Sequence, residues 1–346
     1  MEFIRPDINL DFVGKRWIAI PISLTLIAIS LVSLVLHGGP NYGVDFVGGT
    51  VIQVRFDQPV TAEKIRSAIN PLGLAGATVQ RFGLEGDEFR IRVDRTMESK
   101  DTVNPESVKE ALAKATGVAV DIRGVEMVGP QVGKDLREKA LLAILYALLF
   151  IAVYISGRFE LKWVISAVMA LAIFGAVTLL KLMGWSIPLQ ILAALVVAMA
   201  GFIALNLRFA MGAIVALIHD VTITVGVFSL LGLEFNLPIV AALLTIIGYS
   251  LNDTIIVYDR IRENSRKMAR QGLAEIINRS VNETLSRTIL TSSTVLIVVL
   301  ALFLLGGGVI RDFAFAMMVG VVVGTYSSIY IASPILLQWQ KRAAKR

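Results

Sequence analysis

Eight apolar runs dominate this chain, at residues 17–36, 136–156, 163–183, 188–206, 209–232, 238–258, 286–305 and 312–336. A helix needs about 20 such residues to cross a hydrocarbon core about 30 Å thick. The runs at 136 and 188 are interrupted or short, yet both read as spans. Hydrophobic residues make up 55% of the sequence, above the 45–50% or so of a soluble domain. The excess belongs to the spans and not to a larger soluble core. Arg5, Lys15 and Arg16 precede the first run, which ends in Leu36-His37-Gly38-Gly39-Pro40. That run is too long, and lacks the small-residue cleavage site, for a removed signal peptide. An uncleaved first span is expected.

The formal charge of +6 would suggest nucleic acid in a soluble protein. Its placement argues otherwise. Arg158 and Lys162 lie between two runs, Arg208 between two others, and the stretch 259–287 holds Arg260, Arg262, Arg266, Lys267, Arg270, Arg279 and Arg287. Lys341, Arg342, Lys345 and Arg346 close the chain. With eight spans these loops and both termini share one side, and the positive-inside rule makes it the cytoplasm. Lys181 and Arg311 are the exceptions on the other side. No nucleic-acid partner is expected. The chain has no Cys and two His, His37 and His219, so neither disulfides nor a thiol- or His-rich metal site is expected.

Residues 38–135 differ in texture. They are charged, with strand-like alternation at Val51–Phe56, Ala77–Phe82, Glu88–Asp94 and Ala119–Val128, and helical stretches at Thr61–Leu72 and Asn104–Thr116. Thr61 is a suitable N-cap, and Asn104-Pro105 sets a cap before a proline at the first helical position. The order βαββαβ is that of a ferredoxin-like unit, placed outside the cytoplasm. The expected organisation is a first span within 1–37, this extracytoplasmic domain at 38–135, a bundle at 136–340 and a tail at 341–346.

A charge at mid-membrane costs about 2.5–3.5 kcal/mol on the insertion scale, so it points to a function. His219 and Asp220 sit near the middle of one run, and Asp253, preceded by Asn252, near the cytoplasmic end of the next. Arg287 opens the seventh run, and Thr291 and Thr294 share its helical face. Asp253, Arg287 and Asp220 are thus candidates for a proton relay, with His219, Asn252 and Thr291 as supporting polar groups. Bland readings stand beside this one: a snorkelling Arg287, an Asp253–Arg287 assembly clip, or a satisfied His219–Asp220 pair. Ala316, Gly320, Gly324, Ser328 and Ala332 recur every four residues, a small-residue face for close helix packing. Gly306–Gly308 marks a turn on the outer side.

Several stretches resemble one family. They are Gly43-Val44-Asp45-Phe46-Val47-Gly48-Gly49-Thr50, Val128-Gly129-Pro130-Gln131-Val132-Gly133, Ala216-Leu217-Ile218-His219-Asp220-Val221, and Gly248-Tyr249-Ser250-Leu251-Asn252-Asp253-Thr254 running on to Tyr258-Asp259-Arg260-Ile261-Arg262-Glu263-Asn264. Arg287-Thr288-Ile289, Thr291-Ser292 and Gly324-Thr325-Tyr326-Ser327-Ser328 complete the set. Together they resemble the SecD/SecF family of protein-export membrane proteins. The resemblance implies an α-helical polytopic bundle, half of a resistance-nodulation-division-type assembly, with an α+β ferredoxin-like domain outside the cytoplasmic membrane. It implies SecD as partner, docking on the SecYEG channel, YajC as a further candidate partner, and an unfolded polypeptide in transit. It carries the family's intramembrane acid and Arg onto Asp253 and Arg287, and a second acid onto Asp220. Proton entry would drive export, with Asp253 alternating between a charged form paired with Arg287 and a neutral one. No enzyme activity and no cofactor are expected. The chain departs from the family's six-span pattern by about 46 residues between Glu160 and Phe209. This insert weakly repeats its neighbour, but has Ile173 and Phe174 where His219 and Asp220 would fall. It is expected at the periphery. Two other functions fit less well: half of a small-molecule exporter, and a passive assembly subunit.

Overall fold

A computed structural model describes residues 9–74, 76–82, 87–94 and 104–343. Lys345, Arg346 and Arg5 lie outside the described residues. Helix α1 (Arg16–Leu36) leads to a short helix α2 (Val44–Val47) and then to the soluble domain. There β1 (Gly49–Phe56), α3 (Ala62–Ile69), β2 (Thr78–Phe82), β3 (Glu88–Asp94), α4 (Pro105–Thr116) and β4 (Val120–Val128) follow in order. The antiparallel sheet runs β2-β3-β1-β4, the ferredoxin-like arrangement expected from the alternation. The even positions of β1 (Ile52, Val54 and Phe56) join Phe89, Ile91 and Val93 of β3 against Ile65 and Ile69 of α3 and Leu112 of α4. The odd positions form the opposite, polar face, where Gln53 pairs with Arg90 and Val51 with Arg92. Asn104 caps α4, its Oδ1 accepting from the Glu106 N–H at 3.0 Å. Thr61 precedes α3 but makes no side-chain cap. The expected capping there is not found, although its extended backbone is that of an N-cap residue.

Among the described residues, eight helical stretches are long and apolar enough to cross a membrane, so this is a multi-pass membrane protein. After α1 come α5 (Pro130–Glu160), α6 (Trp163–Leu182), α7 (Ile187–Ala204), α8 (Arg208–Leu230), α9 (Leu237–Lys267) and α10 (Leu273–Leu305). The last crossing is α11 (Gly308–Ser327), a π-helical turn at Ser328–Ala332, and α12 (Ser333–Ala343). Pro334 has no N–H to give to the preceding turn. The π turn is the local adjustment that frees the backbone there, and the Ser333 hydroxyl donates to the Ser328 carbonyl at 3.0 Å.

Helices α9 and α10 overrun the apolar segments read from sequence, to 31 and 33 residues. Their extensions form a charged hairpin foot, joined where Asn264 Nδ2 reaches Glu283 Oε2 at 2.8 Å. The residues before α1 dock there: the Leu10 and Phe12 amides donate to Asn282 and Asn278, each at 2.8 Å. Trp339 Nε1 reaches Asn206 Oδ1 at 2.7 Å. The basic loops and both described chain ends therefore gather at one end of the bundle, and the sheet sits at the other.

The insert helices α6 and α7 pack on α5 and α8 and leave most of their surface bare. Helices α8 and α9 touch each other directly, so the insert does not come between Asp220 and Asp253. Ser156 and Ser166 are hydrogen-bonded across α5 and α6, and Lys162 Nζ donates to the Leu205 carbonyl at 2.6 Å.

Between sheet and bundle, the chain turns tightly. Gly129 alone separates β4 from α5. Gly48, at φ +82°, lies so close to Pro130 that a Cβ would come within 2.8 Å of its Cα. Asp45 Oδ2 accepts from the Leu237 amide at 2.9 Å, and Asn236 caps the same helix start. The Gly43–Thr50 motif thus pins the outer end of α9. The polar face of the sheet is fastened by Arg92 to Glu234 at 3.2 Å, both side chains under a tenth exposed.

Candidate functional site

The deepest polar residues fall into two groups. The first centres on Asp220 of α8, which is fully buried. Its Oδ1 lies 2.8 Å from His219 Nδ1. Its Oδ2 accepts from Ser250 of α9 and, at 2.8 Å, from Ser327 of α11. Three helices thus converge on one carboxyl. The His219 ring stacks on Tyr326 at 6.2 Å. Tyr326 in turn donates to the Ala19 carbonyl of α1 at 2.7 Å and accepts from Ser23 at 3.1 Å. The His219 tautomer follows from its neighbour: a proton on Nδ1 satisfies the carboxylate, and Nε2 finds no partner among the described residues.

Close packing makes this convergence possible. A Cβ on Gly320 would come within 2.3 Å of Ile246, and one on Gly324 within 2.9 Å of Ser250 Cβ. The small-residue face of α11 therefore lies against α9 and brings Ser327 and Ser250 to the same acid. Ser328 is buried beside them and donates to the Thr325 carbonyl at 3.0 Å.

The second group centres on Asp253 of α9, fully buried, with neither carboxyl oxygen hydrogen-bonded among the described residues. Tyr249, one turn earlier, donates to Ser292 at 3.0 Å, and Ser292 is 2.7 Å from Thr325. The Thr288 hydroxyl on α10 is also buried and finds no partner among the described residues. Arg287 lies close enough for its field to reach Asp253, but the two form no ion pair. Its side chain is exposed on α10, beside Thr291 and Thr294. The structure therefore shows the two unpaired, which is one of the two arrangements in the alternation read from sequence. Asp253 points into the bundle and Arg287 out of it. Asn252 is exposed too, on a stripe of α9 with Ala241, Thr245 and Gly248. An exposed stripe of small and polar residues at this depth is unsuited to lipid and suited to a second helix.

His219 was read from sequence as a partner of Asp220, whereas the serine donors Ser250 and Ser327 were not among the candidate site residues. Their signal was present, since Tyr249-Ser250 and Tyr326-Ser327-Ser328 are polar runs inside apolar helices.

Comparison with known proteins agrees with this architecture. The family model described as "Protein export membrane protein SecD/SecF, C-terminal" matches residues 107–202 and 191–342. The "SecD/SecF GG Motif" matches residues 34–60. The protein translocase subunit SecF of Magnetococcus marinus is 46% identical over 342 residues, covering 97% of this chain and 94% of its own length. That of Vibrio alginolyticus is 42% identical over 341 residues, covering 97% and 92%. The crystal structure of SecDF, a translocon-associated membrane protein from Thermus thermophilus, superposes with a TM-score of 0.71 at 33% identity. It covers 98% of this chain, which spans only 40% of the SecDF chain. Motifs, topology and near full-length similarity agree: the chain belongs to the SecD/SecF family of protein-export membrane proteins.

Proposed function

We propose that this chain is the SecF-type half of a membrane motor that couples proton entry to protein export, paired with SecD and acting on the SecYEG channel. The two halves together make a resistance-nodulation-division-type bundle. YajC and the unfolded polypeptide in transit are further partners of this reading. The basic end of the bundle, with both termini, faces the cytoplasm, and the sheet domain lies outside the cytoplasmic membrane. Energy comes from the ion gradient and not from bond chemistry on this chain.

One observation carries the reading: Asp253 is a fully buried carboxyl with no hydrogen-bond donor among the described residues. An isolated carboxylate is costly there. It is stable when protonated, or when a cation comes to it. Arg287 stands within electrostatic reach on a neighbouring helix, so a small helix movement brings the pair together when the proton leaves. A potential of 100 mV supplies about 2.3 kcal/mol per charge crossing the membrane. That biases a two-state element by more than tenfold, since about 1.4 kcal/mol is a factor of ten.

The test is gradient-stimulated export into vesicles, with and without an uncoupler. Asp253→Asn should keep SecD binding and lose the stimulation. Arg287→Ala should do the same, and Arg287→Lys should retain part of it. An Asp253→Asn protein that responds to uncoupler as the wild type does would remove Asp253 from the proton path and leave Asp220 as the leading acid. It would also favour the passive-subunit reading if Asp220→Asn behaved alike.

A further inference from the structure

A cavity of ≈ 400 Å³ lies between α1, α7, α8 and the last crossing, and Asp253 is not part of it. Ile27 of α1 and Met199 of α7 form two of its walls. Ile218 and His219 of α8 and Tyr330 of the π turn line it too, and Gln338, an exposed residue, marks its basic end. His219 lies roughly 16 Å along α8 from Arg208 at ~1.5 Å per residue. That is about half the thickness of a hydrocarbon core about 30 Å deep. The cavity therefore runs from the basic-end interface to the middle of the bilayer. Met199 belongs to the α6–α7 hairpin, so the departure from the six-span pattern supplies one of the walls.

The lining is largely aliphatic, yet it holds an imidazole that is only 3% exposed. Nδ1 of His219 is engaged with Asp220 at 2.8 Å, and Nε2 finds no partner among the described residues. With the proton on Nδ1, Nε2 is a hydrogen-bond acceptor. A buried acceptor without a donor is unfavourable, so a molecule in the cavity gains by offering one.

The surroundings narrow the class of that molecule. A water needs two to four polar partners, which a largely aliphatic lining does not supply, and the Ser23 hydroxyl is already given to Tyr326 at 3.1 Å. A charged ligand is disfavoured at this depth. Aromatic rings border the cavity: Tyr330 lies 5.1 Å from Tyr326, which stacks on His219 at 6.2 Å. An aromatic ring is a favourable neighbour for such rings. The suited ligand is neutral and apolar, with one hydroxyl donor on an aromatic ring.

We propose that this cavity binds an uncharged lipophilic phenol of the hydroquinone class, dissolved in the bilayer. Its hydroxyl donates to His219 Nε2, its ring lies against Tyr330, and its alkyl tail runs between Ile27 and Met199. Through the imidazole the ligand bears on Asp220 and on the three helices that meet there.

With only two histidines in the chain, isotopic labelling of histidine nitrogen gives a magnetic resonance spectrum with few signals. His37→Gln assigns those of His219 in the full chain in bilayers. Titration with decylhydroquinone should move the Nε2 resonance upfield, the direction for a ring nitrogen that accepts a hydrogen bond, and the shift should saturate. Decylquinone has no donor and should leave the resonance in place. Decanol has the hydroxyl without the ring and should need about fivefold more for half-saturation, equivalent to about 1 kcal/mol for the ring contact. Ile27→Trp and Met199→Trp fill the cavity from two walls, and each should abolish the shift. The Nδ1 resonance should stay in place in both variants, as a sign that the bond to Asp220 is intact. An Nε2 resonance indifferent to decylhydroquinone would overturn the proposal. So would an equal response to decylquinone, a shift that survives both Trp variants, or decanol as potent as the hydroquinone. An Nε2 signal already upfield in bilayers free of hydroquinone would assign the nitrogen to water and overturn it as well.

Discussion

Asp220 and Asp253 are both fully buried, yet their surroundings differ. Among the described residues, Asp220 is hydrogen-bonded by three side chains and Asp253 by none. A hydrogen bond to a charged group is worth about 1.5–3 kcal/mol, and a buried donor left without an acceptor costs a similar amount. Ser327→Ala should therefore lower stability modestly, by about 1–2 kcal/mol. Asp220→Ala leaves Ser250 and His219 without their acceptor, and Ser327 with only the Gly324 carbonyl, and should cost distinctly more. Thermal unfolding in detergent orders the two. Unfolding of Asp220→Ala at the wild-type temperature would show that the carboxyl does not hold the three helices together. Asp253→Asn removes no hydrogen bond, so its unfolding temperature should stay near the wild type while gradient-stimulated export falls. The contrast separates a structural acid from a titrating one.

Packing of α11 against α9 brings Ser250 and Ser327 to Asp220. Gly320→Val would drive a branched side chain into Ile246, and overpacking of this kind costs about 1–3 kcal/mol. Adding Ile246→Ala should recover part of that loss, because the clash is with its side chain. A double variant no more stable than Gly320→Val alone would mean that the backbone spacing had failed. The small-residue repeat was legible in sequence because a period of four marks one helical face. The span centres were legible from the length of the apolar runs, and the polar domain by its alternation in strands such as Glu88–Asp94. Helix ends were less so. Hydropathy stops at the last apolar residue, whereas α9 continues through pairs such as Glu263 with Lys267, 2.7 Å apart. The relation of Asp253 to Arg287 was beyond reach. Spacing fixes the face of a helix that a residue occupies, but not how neighbouring helices are rotated. Thr61 illustrates the same limit on a small scale: its residue type suits a cap, but the side chain does not make one.

At the scale of the molecule, eight crossings separate a basic end from the sheet. The family match falls in two pieces that overlap at residues 191–202, inside α7, so the break lies in the hairpin that departs from the six-span pattern. Two extra crossings keep the following helices in their original direction. Cysteine labelling tests this directly: a probe at Met183→Cys should react only from the sheet side, and one at Leu161→Cys only from the other. Reaction of both from one side would reduce the hairpin to a surface element. The join at Gly129 carries its own consequence. With one residue between β4 and α5, and with Gly48 wedged on Pro130, no slack separates the sheet from the helix. Helix α5 is then a stiff mast roughly 46 Å long at ~1.5 Å per residue, footed where Glu160 accepts from the Phe209 amide of α8 at 3.0 Å. Leaning that mast by ~5° carries its head, and the sheet mounted on it, sideways by ~4 Å over such a length. Under the proposed coupling, mechanical work done in the bilayer is thus delivered as a stroke outside it, without passing through a hinge.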